Sequence, residues 1–304
     1  MAVLRLSARS VLSIVVLGAL AACSRPAGRG AIVRVDDWGR TVALAAPARR
    51  IVSLIPATTE LVFALGIGER LVGRTRWCEY PAAARTVPDV GDGISPNVEA
   101  VAARHPDLVI LYASSADRAA ADRFAALGIP TVALALDRTA DVRRAALLVG
   151  ALAGVTHAAD SLVAAFDSLR AVVIAEGDRR HGPRPKVYVD VWAQPPMTVG
   201  RGSYLDEIVR AAGGDNLFDD VRASSATVSL ESIVRRDPDV ILVLQSDTTR
   251  VPDLASRPGW GAVRAVREGR ILVVDGALYG QPSPRMPLAA RDLAARLAHI
   301  GPVR

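Results

Sequence analysis

The stretch Asn97-Val98-Glu99-Ala100-Val101-Ala102-Ala103-Arg104-His105-Pro106-Asp107-Leu108-Val109-Ile110-Leu111 decides the fold, because it recurs as Ser229-Leu230-Glu231-Ser232-Ile233-Val234-Arg235-Arg236-Asp237-Pro238-Asp239-Val240-Ile241-Leu242-Val243. In each copy a residue able to cap a helix precedes a glutamate. A short helix follows, then a Pro-Asp turn and an apolar strand. Glu99 and Glu231 lie 132 positions apart. A helix-to-strand unit repeated at that distance predicts two similar lobes with matching acidic residues at matching helix starts. Such a pair suits a partner with two-fold symmetry.

Outward from the first copy, Arg50 to Leu54 reads as a buried strand that turns at Pro56 into a helix over about 58–65, stopped by Gly66. Leu71 to Gly73 is the next strand. After Leu108–Tyr112 come a helix over 117–127, Gly128 as its stop, and a strand over 130–136. Strands that alternate with helices make a mostly parallel sheet covered on both faces. Residues 140–153 are helical in pattern, and a second helix over 156–176 carries Leu162, Ala165, Phe166, Leu169 and Val173 on one stripe. At ~1.5 Å per residue that helix is a strut roughly 30 Å long. The second lobe opens at Lys186–Val189 and continues with a helix at Ser203, where Asp206 is the expected capping-box partner, ending at Gly213-Gly214. Strands over 240–244 and 271–274 and a last helix over 287–299 complete it. The predicted fold is α/β: two Rossmann-like lobes with mostly parallel sheets, at 31–154 and 181–304, joined by a single long rigid helix at 155–180.

Ahead of the first lobe, Arg5 and Arg9 precede an apolar run from Val11 to Ala22, too short to span a bilayer, so residues 1–22 read as a signal peptide. The run ends in Leu20-Ala21-Ala22-Cys23, which resembles the lipobox of bacterial lipoproteins. That resemblance makes Cys23 the lipidated mature N-terminus, residues 23–30 a flexible tether, and the protein an exported one anchored to a membrane of the periplasm or cell envelope. Short β-prone runs at 32–35 and 41–44 around Asp36-Asp37-Trp38-Gly39-Arg40 predict a hairpin. With Cys23 lipidated, Cys78 has no intramolecular partner and reads as a small buried residue.

The formal net charge is +6, yet Lys186 is the only lysine and the arginines are scattered. No aromatic-basic module appears, so nucleic acid is not an expected partner. Enzyme signatures are also missing: there is no Gly-x-Ser-x-Gly elbow, Walker loop or His-Glu-x-x-His, and Gly200-Arg201-Gly202 lacks the third glycine of a dinucleotide fingerprint. His105, His157, His181 and His299 have no ligand-like spacing, so neither catalysis nor a metal site is expected.

From Arg50 almost to the end, the chain resembles the binding proteins that feed vitamin B12, haem and iron-siderophore ABC importers. The segments that carry the likeness are Arg50–Leu61, Trp77-Cys78-Glu79-Tyr80-Pro81, Pro106–Val109, Gln194-Pro195-Pro196-Met197-Thr198-Val199-Gly200 and Gly213-Gly214-Asp215-Asn216-Leu217-Phe218. The resemblance implies a class III-type substrate-binding protein, monomeric, whose ligand sits between the lobes and whose partner is a permease dimer with cytoplasmic ATPases. It places Glu99 and Glu231 as docking carboxylates for permease arginines. Trp77, Tyr112, Trp192 and Met197 are implied to line the ligand cleft, with Tyr279 and Arg285 at its polar rim, whereas Trp260 is expected to pack in the core. The cobalamin branch is the expected one, and a corrinoid the expected ligand. Gly93 and Ser225 depart from that branch, where aromatics stand. Haem, with Tyr80, Tyr112, Tyr204 or Tyr279 as axial ligand, and a ferric siderophore met by Arg76, Arg201 or Arg285 are the alternatives, as is a tethered envelope module without transport.

Overall fold

A computed structural model describes residues 31–179 and 182–300. The signal peptide, Cys23 and the tether lie outside the described residues. The expected hairpin forms from β1 (Ile32–Val35) and β2 (Thr41–Leu44), paired antiparallel. Its turn is tied to the edge of the first sheet: the Asp37 amide donates to the Ala133 carbonyl at 3.0 Å, and the Ala135 amide to Asp37 Oδ2 at 2.7 Å.

The first lobe contains β3 (Ile51–Ser53), α1 (Pro56–Ala64), β4 (Leu71–Arg74), α2 (Val98–Ala102), β5 (Leu108–Tyr112), α3 (Arg118–Ala126), β6 (Thr131–Leu134) and α4 (Thr139–Leu152). Its strands pair in parallel in the order β4-β3-β5-β6. Ile51, Leu108 and Ile110 enter one buried layer and Val52, Val109 and Leu111 the other, so continuous apolar runs are what a sheet covered on both faces requires. After α5 (Thr156–Asp178) come β7 (Lys186–Asp190), β8 (Trp192–Ala193), β9 (Pro196–Val199), α6 (Tyr204–Ala211), β10 (Asp215–Asn216), β11 (Ser225–Thr227), α7 (Leu230–Arg236), β12 (Val240–Gln245), α8 (Arg264–Arg267), β13 (Ile271–Asp275), α9 (Gly276–Tyr279) and α10 (Met286–Ala298). The second parallel sheet runs β10-β7-β12-β13. Both sheets therefore place the lobe's strands in the same order: second, first, third, fourth.

The repeat seen in the sequence is a repeat in space. Asn97 Oδ1 accepts from the Ala100 amide at 3.0 Å and Ser229 Oγ from the Ser232 amide at 3.1 Å, each capping its glutamate helix. His105 and Asp237, at the same place in the two copies, both have left-handed backbones, with φ of 49° and 51°. The next Pro-Asp returns each chain to its sheet: the Asp107 amide donates to Arg50 O and the Asp239 amide to Lys186 O, both at 2.9 Å.

The strut is the 23-residue α5. Leu162 and Val163 pack on the first lobe's core, Phe166, Leu169 and Val173 on the second's, and Val142 of α4 also enters the second core. Near its end Gly177 passes so close to α6 that a β-carbon there would lie 2.7 Å from the Ala211 carbonyl. Two further bonds join the lobes beside it: the Tyr204 amide donates to Asp137 O at 2.8 Å, and the Thr139 amide to Glu207 Oε2 at 2.7 Å. A helix packed along one stripe on both cores and pinned this way resists hinge bending.

Two details differ from expectation. At α6, Ser203 Oγ does accept the Asp206 amide at 3.1 Å, but Asp206 Oδ2 accepts from Gly202 rather than from the cap residue, so the capping box is not reciprocal. The second lobe also carries a three-stranded antiparallel sheet, β11-β9-β8, that alternation of strands and helices does not predict.

Candidate functional site

In open α/β sheets ligands collect at the carboxyl ends of the strands. Here those ends expose apolar side chains instead of burying them. In the first lobe the loops after β4 expose Trp77 at 60%, Ile94 at 79% and Tyr80; in the second, the segments after β7 and β12 expose Trp192 at 62%, Val191 and Val251. Half of the exposed large apolar residues lie in these loops, which makes them the candidate binding surface.

Local chemistry holds these loops in place. At the end of β3 the Ser53 hydroxyl lies 2.7 Å from that of Thr58 and accepts from Thr59 at 2.9 Å, which locks the turn into α1, and Pro56 occupies the first helical turn. After β4 the Thr75 hydroxyl meets Cys78 Sγ at 3.1 Å in the core, so Cys78 anchors the turn that presents Trp77. Gly93 is required where it stands, since a β-carbon would come within 2.2 Å of the Leu54 carbonyl. An aromatic at that position would not fit this loop path, and the neighbouring Ile94 reaches solvent in its place.

Trp192 and Met197 face each other directly across the β8–β9 pair, and the indole N–H of Trp192 donates to Gln194 O at 3.0 Å. Trp77 and Trp192 thus follow strand carboxyl ends in the two lobes, with Met197 on β9 opposite Trp192. Tyr112 is partly buried at the end of β5, and its hydroxyl donates to Asp137 Oδ1 at 2.7 Å. Burial, and then Asp137, push this phenol above its ordinary range. Because the Asp137 carbonyl receives the Tyr204 amide, Tyr112 belongs to the base where the lobes meet.

Tyr279 does not reach a rim. It is fully buried in the second lobe's core, and its hydroxyl donates to Ala289 O and bonds Asp292 Oδ2, both at 2.8 Å. Burial is the main cause of its raised pKa. The aromatic ring packs because α9 is only one turn long and drops straight into the layer under α10. Arg285 is also not a free rim charge. Its Nε and Nη2 donate to the two Glu60 oxygens at 2.8 and 2.6 Å, and its guanidinium carbon lies 3.6 Å from the Tyr80 ring centroid. Trp260 packs in the core, 6.0 Å from the Tyr188 ring.

Under the cleft, Asp190 ends β7 and pairs with Arg257 at 3.0 Å. Burial outweighs that partner and raises the Asp190 carboxyl above its ordinary range. Asp190 Oδ1 and the Tyr188 hydroxyl are both buried without a hydrogen-bond partner among the described residues. No group of three or more His, Cys, Asp or Glu among the described residues is placed to hold a metal ion.

The two glutamates occupy the second position of their capped helices, and both are exposed. Glu231 is 85% exposed, with Arg235 no closer than 3.7 Å. Glu99 has no ion-pair partner among the described residues. A carboxylate in a helix's first turn gains only ~0.3–1 kcal/mol from the dipole, which leaves both free for an external cation.

Comparison with known proteins agrees with this fold. The chain is 30% identical over 254 residues to a vitamin B12-binding protein of Yersinia pestis (strain Pestoides F), covering 83% of this chain and 88% of that one. Among solved structures it resembles the periplasmic heme-binding protein RhuT from Roseiflexus sp. RS-1, with a TM-score of 0.73 at 26% identity, covering 82% and 98% of the two chains. It shares the fold of the periplasmic vitamin B12-binding protein BtuF of Vibrio cholerae, with a TM-score of 0.69 at 20% identity over 83% and 97%. Residues 51–278 match the periplasmic binding protein family profile, a span from the first strand of one sheet to the last helix-turn before α10, and the chain belongs to that family.

Proposed function

We propose that this chain is the substrate-binding component of an ABC importer, exported to the periplasm, that captures a corrinoid between its lobes and delivers it to a permease dimer driven by cytoplasmic ATPases. The observation that carries the reading is the paired apolar wall, with Trp77, Tyr80 and Ile94 on one lobe and Val191 and Trp192 on the other. A large macrocycle with an apolar face suits aromatic walls, and its relative in Yersinia is a vitamin B12-binding protein. For an anionic ferric siderophore Arg285 is neutralised by Glu60 and Arg201 is paired with Asp219 at 3.1 Å, which leaves Arg76, exposed beside Trp77, as the charge to meet it. In this reading Glu99 and Glu231 make charge-assisted contacts with permease arginines, and Cys23 carries the lipid.

Haem is the second reading, and one observation favours it. Of the four tyrosines considered as axial ligands, Tyr112 and Tyr279 have their hydroxyls engaged, and burial raises the phenol of Tyr204, but Tyr80 is exposed at the cleft.

The test is a titration with cyanocobalamin, cobinamide, haemin and a ferric hydroxamate, followed by tryptophan fluorescence and calorimetry. Cyanocobalamin is expected to quench strongly. Each stacking contact is worth about 0.5–1.5 kcal/mol beyond the buried area, so Trp77→Ala combined with Trp192→Ala weakens binding by more than about tenfold. Tight haemin binding whose absorption band is lost in Tyr80→Phe, without any cobalamin response, would replace corrinoid by haem.

A further inference from the structure

Arg285 is held by two residues of the opposite lobe, Glu60 and Tyr80, and by a carbonyl of its own lobe. It projects from the turn between α9 and α10 in the second lobe. Both Glu60 oxygens, on α1 of the first lobe, accept from its fork at 2.8 and 2.6 Å. Tyr80, in the first lobe's loop after β4, stacks on the same guanidinium at 3.6 Å. Gln281, from Arg285's own turn, also donates to Glu60, and the Ala277 carbonyl accepts from Arg285 at 2.6 Å, so the arginine is braced from behind. The Glu60 side chain is 3% exposed and that of Arg285 14%, so the pair is shielded from water and from salt. The start of the helix that carries Glu60 is fixed by the buried Ser53–Thr58–Thr59 hydroxyl network.

We propose that Glu60, Arg285 and Tyr80 form an inter-lobe clasp in which Glu60 is a positioning residue for Tyr80, acting through Arg285. The bidentate pair ties the lobes together beside α5, where Pro284 and Met286, the neighbours of Arg285, approach Phe166 of that helix. The same arginine holds the Tyr80 ring in the cleft wall, so lobe spacing and the attitude of a ligand-facing aromatic are one mechanical element. Anything that parts the lobes, a permease included, releases Tyr80 from its cation. The clasp is a property of the two lobes and stands whichever ligand the cleft takes.

The experiment uses the full chain in detergent without ligand. Nitroxides at Asp122→Cys and Arg235→Cys, one exposed helix site per lobe, report lobe separation by pulsed electron resonance. 3-Fluorotyrosine in all five tyrosines reports their surroundings, with the Tyr80 signal assigned by Tyr80→Phe. In Glu60→Gln and in Arg285→Gln the inter-lobe distance distribution is expected to widen at least twofold and the Tyr80 fluorine signal to move while the other four stay in place. Arg285→Lys, which keeps the charge but loses the fork, is expected to give an intermediate width. An unchanged distribution in both glutamine variants would overturn the clasp. A Tyr80 signal that moves in Arg285→Gln but not in Glu60→Gln would overturn the positioning role. If a glutamine variant shifts all five signals, the Arg285→Lys measurement decides, with an unaltered width and Tyr80 signal counting against the proposal.

Discussion

In the first lobe the turn carboxylate Asp107 accepts the Arg49 and Arg50 amides at 2.8 and 2.9 Å. Its counterpart in the second lobe, Asp239, accepts the Lys186 amide at 2.9 Å and also holds Arg264 at 2.8 Å, and Arg264 in turn reaches Asp237. The backbone course is the same in both copies, down to the left-handed residue before the proline. What has diverged is the side-chain chemistry. A repeated fold needs only the turn and the strand; the second lobe has added a largely buried arginine to that frame, and α8 with it.

That difference can be broken by mutation. Asp239→Ala takes from Arg264 its one buried partner, leaving the more exposed Asp237 and the more distant Glu268, and removing one member of a buried pair costs about 3–5 kcal/mol. Asp107→Ala removes two exposed hydrogen bonds to a charged acceptor, each near the low end of about 1.5–3 kcal/mol because water replaces the partner. Urea unfolding of the two variants should therefore rank Asp239→Ala as the less stable. The reverse ranking would mean that the Arg264 pair adds nothing.

The exposed tips should behave alike where the turns do not. If Glu99 and Glu231 each meet an arginine on one of two equivalent permease subunits, either alanine variant loses a similar amount of complex stability, about 2–5 kcal/mol for a desolvated charge pair. Ligand affinity should be unchanged. Surface plasmon resonance on the permease in nanodiscs measures this, and a large loss from one variant with none from the other would end the two-fold reading. The smallest effect belongs to the caps: Asn97→Ala and Ser229→Ala should each lower stability by about 1 kcal/mol, equally in the two lobes.

The duplicated unit was legible because its signals are local: a cap, a short amphipathic helix, a Pro-Asp turn and an apolar run. Trp77 and Trp192 were also legible, as large aromatics in loops after strands. Tyr279 and Arg285 were not. Both flank the same Pro-Ser-Pro turn, and only the tertiary packing sends one into the core under α10 and the other across to Glu60, 225 positions away. The sequence marks Tyr80 only as a possible axial ligand to haem, because its stacking partner lies in the other lobe. Ile94 and Val251 were not legible, since a lone aliphatic residue in a loop carries no sequence signal. The small β11-β9-β8 sheet was hidden by two strands of only two and three residues.

Uptake of radiolabelled cyanocobalamin by cells tests the central claim most directly, since it asks for capture and delivery together. Cells lacking this chain should lose high-affinity uptake, the wild-type chain should restore it, and the chain with Glu99→Ala and Glu231→Ala should bind the ligand yet fail to restore transport. Uptake that is unaffected by loss of the chain, or fully restored by the double variant, would contradict the account.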